Sequence, residues 1–267
     1  MGKTQQRIRQ RVDELRQNMF VIHQLVIRDK KRSLSSTFMG ELWEVINPLI
    51  YMVVMVLVFG KMFGGGKAGQ FPLYILTGTT IYGLFTSGTT MCLNALMGNK
   101  NFLIKTQLSK NVYVYQKILL AFRNFLFSLM IYAFVIALYR IRPSVTWLLF
   151  IPDILLMLVM MLGIGKILAV INVTFADITY FYKIFTLFLM YGSAIFYRVD
   201  RLSPMMQKCM TILNPLYTLI SIARECVMER LYPNWKLWGI ACVYAGGFYA
   251  VGTIFFNQKI ENIVAKM

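Results

Sequence analysis

The chain has 267 residues, of which 58% are hydrophobic and only 15% charged, and its mean hydropathy is +0.59. A soluble domain runs at about 45–50% apolar, so these figures exclude an ordinary soluble fold as well as a disordered chain. Lys and Arg number 28 against 11 Asp and Glu, a net charge of +17, but the bases gather between apolar runs, and membrane orientation explains them better than nucleic acid does.

Residues 1–47 read as a charged amphipathic segment. Val12, Leu15, Met19, Ile22 and Val26 recur at helical spacing, with Arg16, Gln17, His23, Gln24 and Lys30 elsewhere. A basic helix with one apolar stripe ahead of a span lies along the bilayer surface or packs on a partner. The first long apolar run comes too late for a secretory signal.

Six apolar runs follow, each near the ~20 residues that cross a bilayer. They are about Pro48–Phe63, Phe71–Leu96, Ile118–Tyr139, Trp147–Val173, Ile178–Tyr197 and Leu237–Phe256. The first is short and is completed from Leu42 onward or tilts little. The expected architecture is therefore all-α: an interface segment at 1–47, a six-span domain at 48–256 and a tail at 257–267.

Orientation follows the bases. The N-terminal segment carries Lys3, Arg7, Arg9, Arg11, Arg16, Arg28, Lys30, Lys31 and Arg32; the connection at 98–117 carries Lys100, Lys105, Lys110 and Lys117 with no acid. The connections on the other side hold only Lys61 and Lys67, then Arg140 and Arg142. Both termini are expected in the cytoplasm. The connection at 198–236 is rich in bases yet falls outside, the weakest point of this topology. Ser203-Pro204 reads as a helix start, and Asn214-Pro215 breaks that helix before a second amphipathic piece, Leu216–Leu231, which Pro233 ends. Two short re-entrant external helices fit better than a loop.

Within the spans, Tyr51, Met55, Phe59 and Phe63 form one stripe, and Asp177, Phe181, Phe185, Phe188, Tyr191 and Ile195 form a broad face of the fifth span. Ordinary helix packing or lipid contact explains such stripes. Tyr197 joins this set, although interfacial belting also accounts for it. The second span is rich in Thr and Gly, with Thr79, Gly83 and Ser87 at small-xxx-small spacing, and reads as scaffold. Lys166 and Arg123 are expected to snorkel to the interface.

Absent chemistry narrows the function. Gly66-Lys67 and Gly165-Lys166 both lack the first Gly and the final Ser/Thr of a phosphate loop, so no ATP site is expected in this chain. His23 is the single histidine, which removes His-based metal sites and a Ser/His/Asp set. Cys92, Cys209, Cys226 and Cys242 form no C-x-x-C pair and read as small hydrophobes. Energy is expected from a partner.

The run Arg28-Asp29-Lys30-Lys31, then Met39-Gly40-Glu41-Leu42-Trp43-Glu44-Val45-Ile46-Asn47-Pro48-Leu49, resembles the opening signature of the membrane subunits of type-2 ATP-binding-cassette polysaccharide exporters, the O-antigen, capsule and teichoic-acid permeases. Phe71-Pro72-Leu73-Tyr74-Ile75-Leu76-Thr77-Gly78 is similar to the start of that family's second span. Asn101-Phe102-Leu103-Ile104-Lys105 is similar to its cytoplasmic coupling segment, and Tyr191-Gly192-Ser193-Ala194-Ile195-Phe196-Tyr197 with Asn214-Pro215 to its fifth-span end and external helices. The resemblance covers roughly residues 20–260. Ala176 stands where the family often has Arg, and Ala194 where it often has Pro.

The resemblance implies a homodimer, a separate ATPase subunit on each copy that binds the ATP and Mg, and no cofactor in this chain. It implies a channel along the first and fifth spans, which makes Tyr51, Phe59, Phe63, Phe181, Phe185, Phe188, Tyr191 and Tyr197 the candidate lining. The substrate would be an undecaprenyl-type lipid-linked glycan crossing the cytoplasmic membrane. Arg28, Lys30, Lys31 and Arg32 would meet its headgroup or ordinary phospholipid. Asn101 to Lys105 would dock on the ATPase. A drug or peptide exporter of the same superfamily is the alternative; a membrane-embedded lipid transferase would need metal-holding loop acids, which are few.

Overall fold

The computed structural model describes residues 3–34, 46, 49–50, 53–54, 57–58, 71–105, 108–199 and 202–266. Those residues form helices α1 (Lys3–Leu34), α2 (Phe71–Leu93), α3 (Lys100–Lys105), α4 (Val112–Leu138), α5 (Phe150–Thr174), α6 (Ile178–Gly192), α7 (Pro204–Leu213), α8 (Pro215–Arg224) and α9 (Trp235–Lys266), with no strand among them. Single 3-10 turns at Met97–Asn99 and Val145–Leu149 lead into α3 and α5. The first apolar run lies mostly outside the described residues.

Three stretches are long and apolar enough to cross a membrane: Val112–Leu138, Val145–Thr174 and Trp235–Val264. They coincide with the third, fourth and sixth expected spans. Helix α2 matches the second, but its threonines lower its hydropathy. Those threonines bond their own helix: Thr77, Thr79, Thr86 and Thr89 donate to the carbonyls four residues back, at 2.6–3.0 Å. Their hydroxyls therefore need no outside partner in a dry setting. Helix α6 stops at Gly192, short of the expected Tyr197, because residues 193–197 turn away to surround a buried arginine described below.

Helix α2 occupies the middle. It packs against α4, α5, α6 and α8, and most of its residues are buried, which agrees with a scaffold role. The close approaches differ from the expected small-residue stripe. Gly83 has nothing within 4 Å of where a Cβ would stand, whereas a Cβ on Gly78 would meet Arg224 Nη2 at 2.8 Å. The tightest crossing is between α5 and α9. A Cβ on Gly163 would lie 2.2 Å from the Phe248 carbonyl oxygen, and one on Gly252 would lie 2.1 Å from the Gly163 oxygen. Backbone touches backbone there, a contact only glycine permits.

Lys166, on α5, does not snorkel. It is 1% exposed, donates to Thr253 Oγ1 at 2.9 Å, and stands 4.6 Å from the Tyr249 ring centroid and 5.4 Å from that of Tyr115. Two ring faces and a hydroxyl replace water around the ammonium, so the stem has no reason to reach for the interface.

Two short helices stand where the sequence pointed to them, and their caps explain them. Ser203 accepts from the Met206 amide with Pro204 at the first turn, and Asn214 accepts from the amides of Leu216 and Tyr217 with Pro215 next. One short π segment, Glu225–Glu229, extends α8, and Arg230 closes it in the left-handed region at φ 56°.

Candidate functional site

Three groupings of side chains stand out, one at each end of α2 and one on α6. At the end that holds α1 and α3, Asp29 is the centre. Its Oδ1 accepts from Arg28 Nη2 at 2.7 Å, and its Oδ2 accepts from Lys117 Nζ and Gln116 Nε2, both at 2.6 Å. The side chains of Asp29 and Lys117 are 12% and 16% exposed. Burial raises the Asp29 pKa, but the bonds from Lys117, Arg28 and Gln116 and the charge of Lys117 outweigh it and hold the carboxyl below its ordinary value. Thus α1 is tied to the first turns of α4 by a shielded ion pair, reinforced by Leu25 and Val26, which are buried.

Arg28 continues the chain of contacts. Its Nη2 also donates to Asn99 Oδ1 at 2.7 Å, and its guanidinium lies 5.3 Å from the centroid of the Phe102 ring. Asn99 is itself buried and bonds the Ala95 carbonyl. In α3, Leu103 is buried at 1% exposure and holds the helix to the body, while Phe102 and Ile104 are 50% and 53% exposed. Asn101 is exposed as well. This short helix therefore offers an outward apolar edge whose inner side is wired through Arg28 and Asp29 to α1 and α4. Among the other candidate headgroup bases, Lys31 is exposed and Lys30 half-buried; the side chains of Arg32 and Lys105 lie outside the described residues.

Helix α6 presents an aromatic surface. Only Tyr182 and Thr186 are buried along it. Tyr182 donates to Thr89 Oγ1 at 2.6 Å, and Tyr82 donates to the Thr186 carbonyl at 2.9 Å, so two phenols stitch α6 to α2. The opposite face leaves Phe181, Phe185, Phe188 and Tyr191 exposed at 61%, 54%, 73% and 56%. These four expected channel residues therefore share one open face. Tyr197 sits beyond the helix end, where its hydroxyl donates to the Tyr191 carbonyl at 3.0 Å. Tyr51, Phe59 and Phe63 lie outside the described residues.

The opposite end of α2 holds a feature that composition and spacing did not single out. Arg224, the last residue of α8, is 6% exposed. Its guanidinium stacks 3.4 Å from the centroid of the Tyr74 ring and donates to the carbonyls of Ala194, Tyr74 and Ile195 at 3.1, 3.2 and 3.4 Å. Tyr74 in turn donates to the Tyr197 carbonyl at 3.0 Å. Asn214 Nδ2 donates to the Gly192 carbonyl and to Ser193 Oγ. The turn after α6 is thus held by Tyr74 of α2, by Asn214 and by Arg224 of α8. Ala194 adopts φ 50°, a conformation that proline cannot reach. The one signal in the sequence was a lone arginine closing an otherwise apolar helical face, Leu216 to Ala223.

No group of three His, Cys, Asp or Glu suited to a metal occurs among the described residues. What these groupings offer is not bond-making chemistry but a wired contact surface at one end, an aromatic face along one helix and a braced turn at the other end.

Comparison with known proteins agrees with that character. The family model described as ABC-2 type transporter matches residues 21–228. The chain is 26% identical over 234 residues to the O-antigen export system permease protein RfbA of Klebsiella pneumoniae, covering 86% of this chain and 88% of that one. It is 25% identical over 252 residues to the protein of the same name from Myxococcus xanthus, covering 94% and 96%.

Proposed function

The chain belongs to the ABC-2 type transporter family, as an integral membrane transport component and not an enzyme, and from that premise we propose that it is the permease subunit of an ATP-driven exporter of a lipid-linked polysaccharide. The observation that carries this reading is the similarity to two O-antigen export permeases along nearly the whole chain. In this reading the protein crosses the cytoplasmic membrane six times with both termini inside. Two copies pair, and each engages a nucleotide-binding subunit that holds the ATP and Mg. The cargo is an O-antigen, capsule or teichoic-acid glycan on an undecaprenyl-type lipid.

The geometry supports a division of labour. The outward edge of α3, Phe102 and Ile104, suits a groove on the ATPase. Movement there reaches α1 through Arg28 and α4 through Asp29 and Lys117. The open face of α6 suits the sugar path, where ring faces let pyranose C–H surfaces slide. Tyr51, Phe59 and Phe63 of the first span complete that path in the proposal, and Arg28, Lys30, Lys31 and Arg32 lie on the side from which the glycolipid enters.

The deciding experiment is reconstitution with and without the cognate ATPase. ATP turnover stimulated by lipid-linked glycan in the complex, and none by the chain alone, is the expected result. Stimulation by amphipathic drugs or peptides with none by glycan would replace this reading with a drug or peptide exporter.

A further inference from the structure

A recess of about 500 Å³ lies between α1, α4 and α5. Asn18 and Ser109 belong to its lining, and Ser109 is followed in the chain by the base Lys110. Apart from the Tyr115 phenol, the rest of the lining is hydrocarbon: Ile22 on one wall, Leu119 and Phe122 on the second, Leu158 and Leu162 on the third. Met19 and Leu119, 70% and 45% exposed, leave its flank open to the surroundings. The wall from Val112 to Phe122 rises about 15 Å at 1.5 Å per residue, which is half of the ~30 Å hydrocarbon core and so the depth of one leaflet.

We infer that this recess binds one acyl chain of an anionic glycerophospholipid, whose headgroup rests at Lys110, beside Ser109. The lining argues for a lipid over a protein segment: a base beside Ser109, then a wall that is apolar but for the Tyr115 phenol to one leaflet's depth. It also argues against the transported glycolipid. Helix α2 stands between α4 and α6, so the recess and the open aromatic face of α6 are on different flanks of the bundle. Moving a chain from bilayer to recess exchanges one apolar medium for another and gains little by itself. Selectivity must come from the headgroup, at ~1 kcal/mol per nearby base, or about fivefold. Because α1 forms one wall, the lipid props the helix that carries Arg28 and Asp29.

The test is native mass spectrometry of the purified permease with its ATPase partner, delipidated and then titrated with phosphatidylglycerol or phosphatidylethanolamine. One phosphatidylglycerol per chain should persist, about fivefold favoured over phosphatidylethanolamine. Leu158→Trp and Leu119→Trp, which fill the recess from two sides, should each abolish that retention. Leu126→Trp, further along α4 and outside it, should not. Unchanged helicity and melting temperature in the three variants separate filling from misfolding. Equal retention in all variants overturns the proposal, as does equal retention of the zwitterionic lipid. So does a bound polyprenyl lipid, or cross-linking of a cysteine placed at 119 to a second copy or to residues 48–63.

Discussion

Lys117 Nζ reaches Asp29 Oδ2 at 2.6 Å, across 88 residues of sequence, and with Gln116 it pins α1 to the start of α4. A charge this shielded is costly to leave alone: removing one partner strands the other where water barely reaches. Asp29→Asn should therefore loosen α1, at about 1–3 kcal/mol for the stranded donors, read as faster hydrogen exchange in residues 16–31 with α5 and α9 unchanged. The swapped pair, Asp29→Lys with Lys117→Asp, should recover part of the protection. No recovery, with wild-type exchange in Asp29→Asn, would mean that the pair does not hold the helix.

The same pair gives a pH dependence of known sign. The Asp29 carboxyl is held below its ordinary value of 3.8. Its contribution is complete above that ordinary value and fades as pH falls through the lowered one. A spin-label distance between α1 and α4 should stay constant from neutrality down to the ordinary carboxylate range and lengthen only below it. Lengthening near neutral pH would contradict the assignment.

Arg224 should prove structural at the other end. Its guanidinium serves three carbonyls and one ring face at once. An ammonium is a point donor that cannot reproduce the fork, so Arg224→Lys should rescue little of the loss in Arg224→Ala. That loss is expected at about 2–3 kcal/mol in reversible detergent unfolding, on the scale of hydrogen bonds to a charged group. Full stability in Arg224→Lys would show that charge alone matters there.

Phe188 offers the converse. It is 73% exposed on the open face of α6. Phe188→Ser should leave unfolding within about 0.5 kcal/mol of the parent while lowering glycan-stimulated ATP turnover in the complex. Stability falling with turnover intact would place the face in packing and not in the transport path.

Glycine contacts rank themselves. Gly163→Ala puts a methyl 2.2 Å from a backbone oxygen, whereas Gly78→Ala meets the far end of an arginine at 2.8 Å. Overpacking costs about 1–3 kcal/mol, and the first variant should stand at the high end because backbone cannot step aside. Melting temperatures of the two variants, compared directly, check the order.

Periodicity and caps made much of this legible in advance. The unbroken apolar runs located α4, α5 and α9, and Ser203-Pro204 and Asn214-Pro215 located the starts of α7 and α8. The run Asn101 to Lys105, singled out by resemblance, falls in the short helix α3. What stayed hidden depends on partners distant in sequence. Arg224 looked like a loop charge because Tyr74, its ring partner, lies 150 residues away. Lys166 looked like an interfacial lysine because its hydroxyl partner is on α9, 87 residues on. Asp29 is quoted in the sequence only as part of the Arg28-Asp29-Lys30-Lys31 run, and its partners Gln116 and Lys117 lie 87 and 88 residues away. Spacing alone likewise favoured Gly83 as a contact, where the touching glycines are one on each of two helices.

The backbone seam between Gly163 and Gly252 has a consequence for motion. Two helices in contact at their main chains cannot slide or part without losing the whole interface, so α5 and α9 travel as one keel through any cycle. Helix α6 is held differently: two phenols tie it to α2, Thr179 bonds Asn172 of α5, and Arg224 and Asn214 brace the turn at its end. A displacement of α6 against α2 must therefore turn about Tyr82 and Tyr182 or break their bonds.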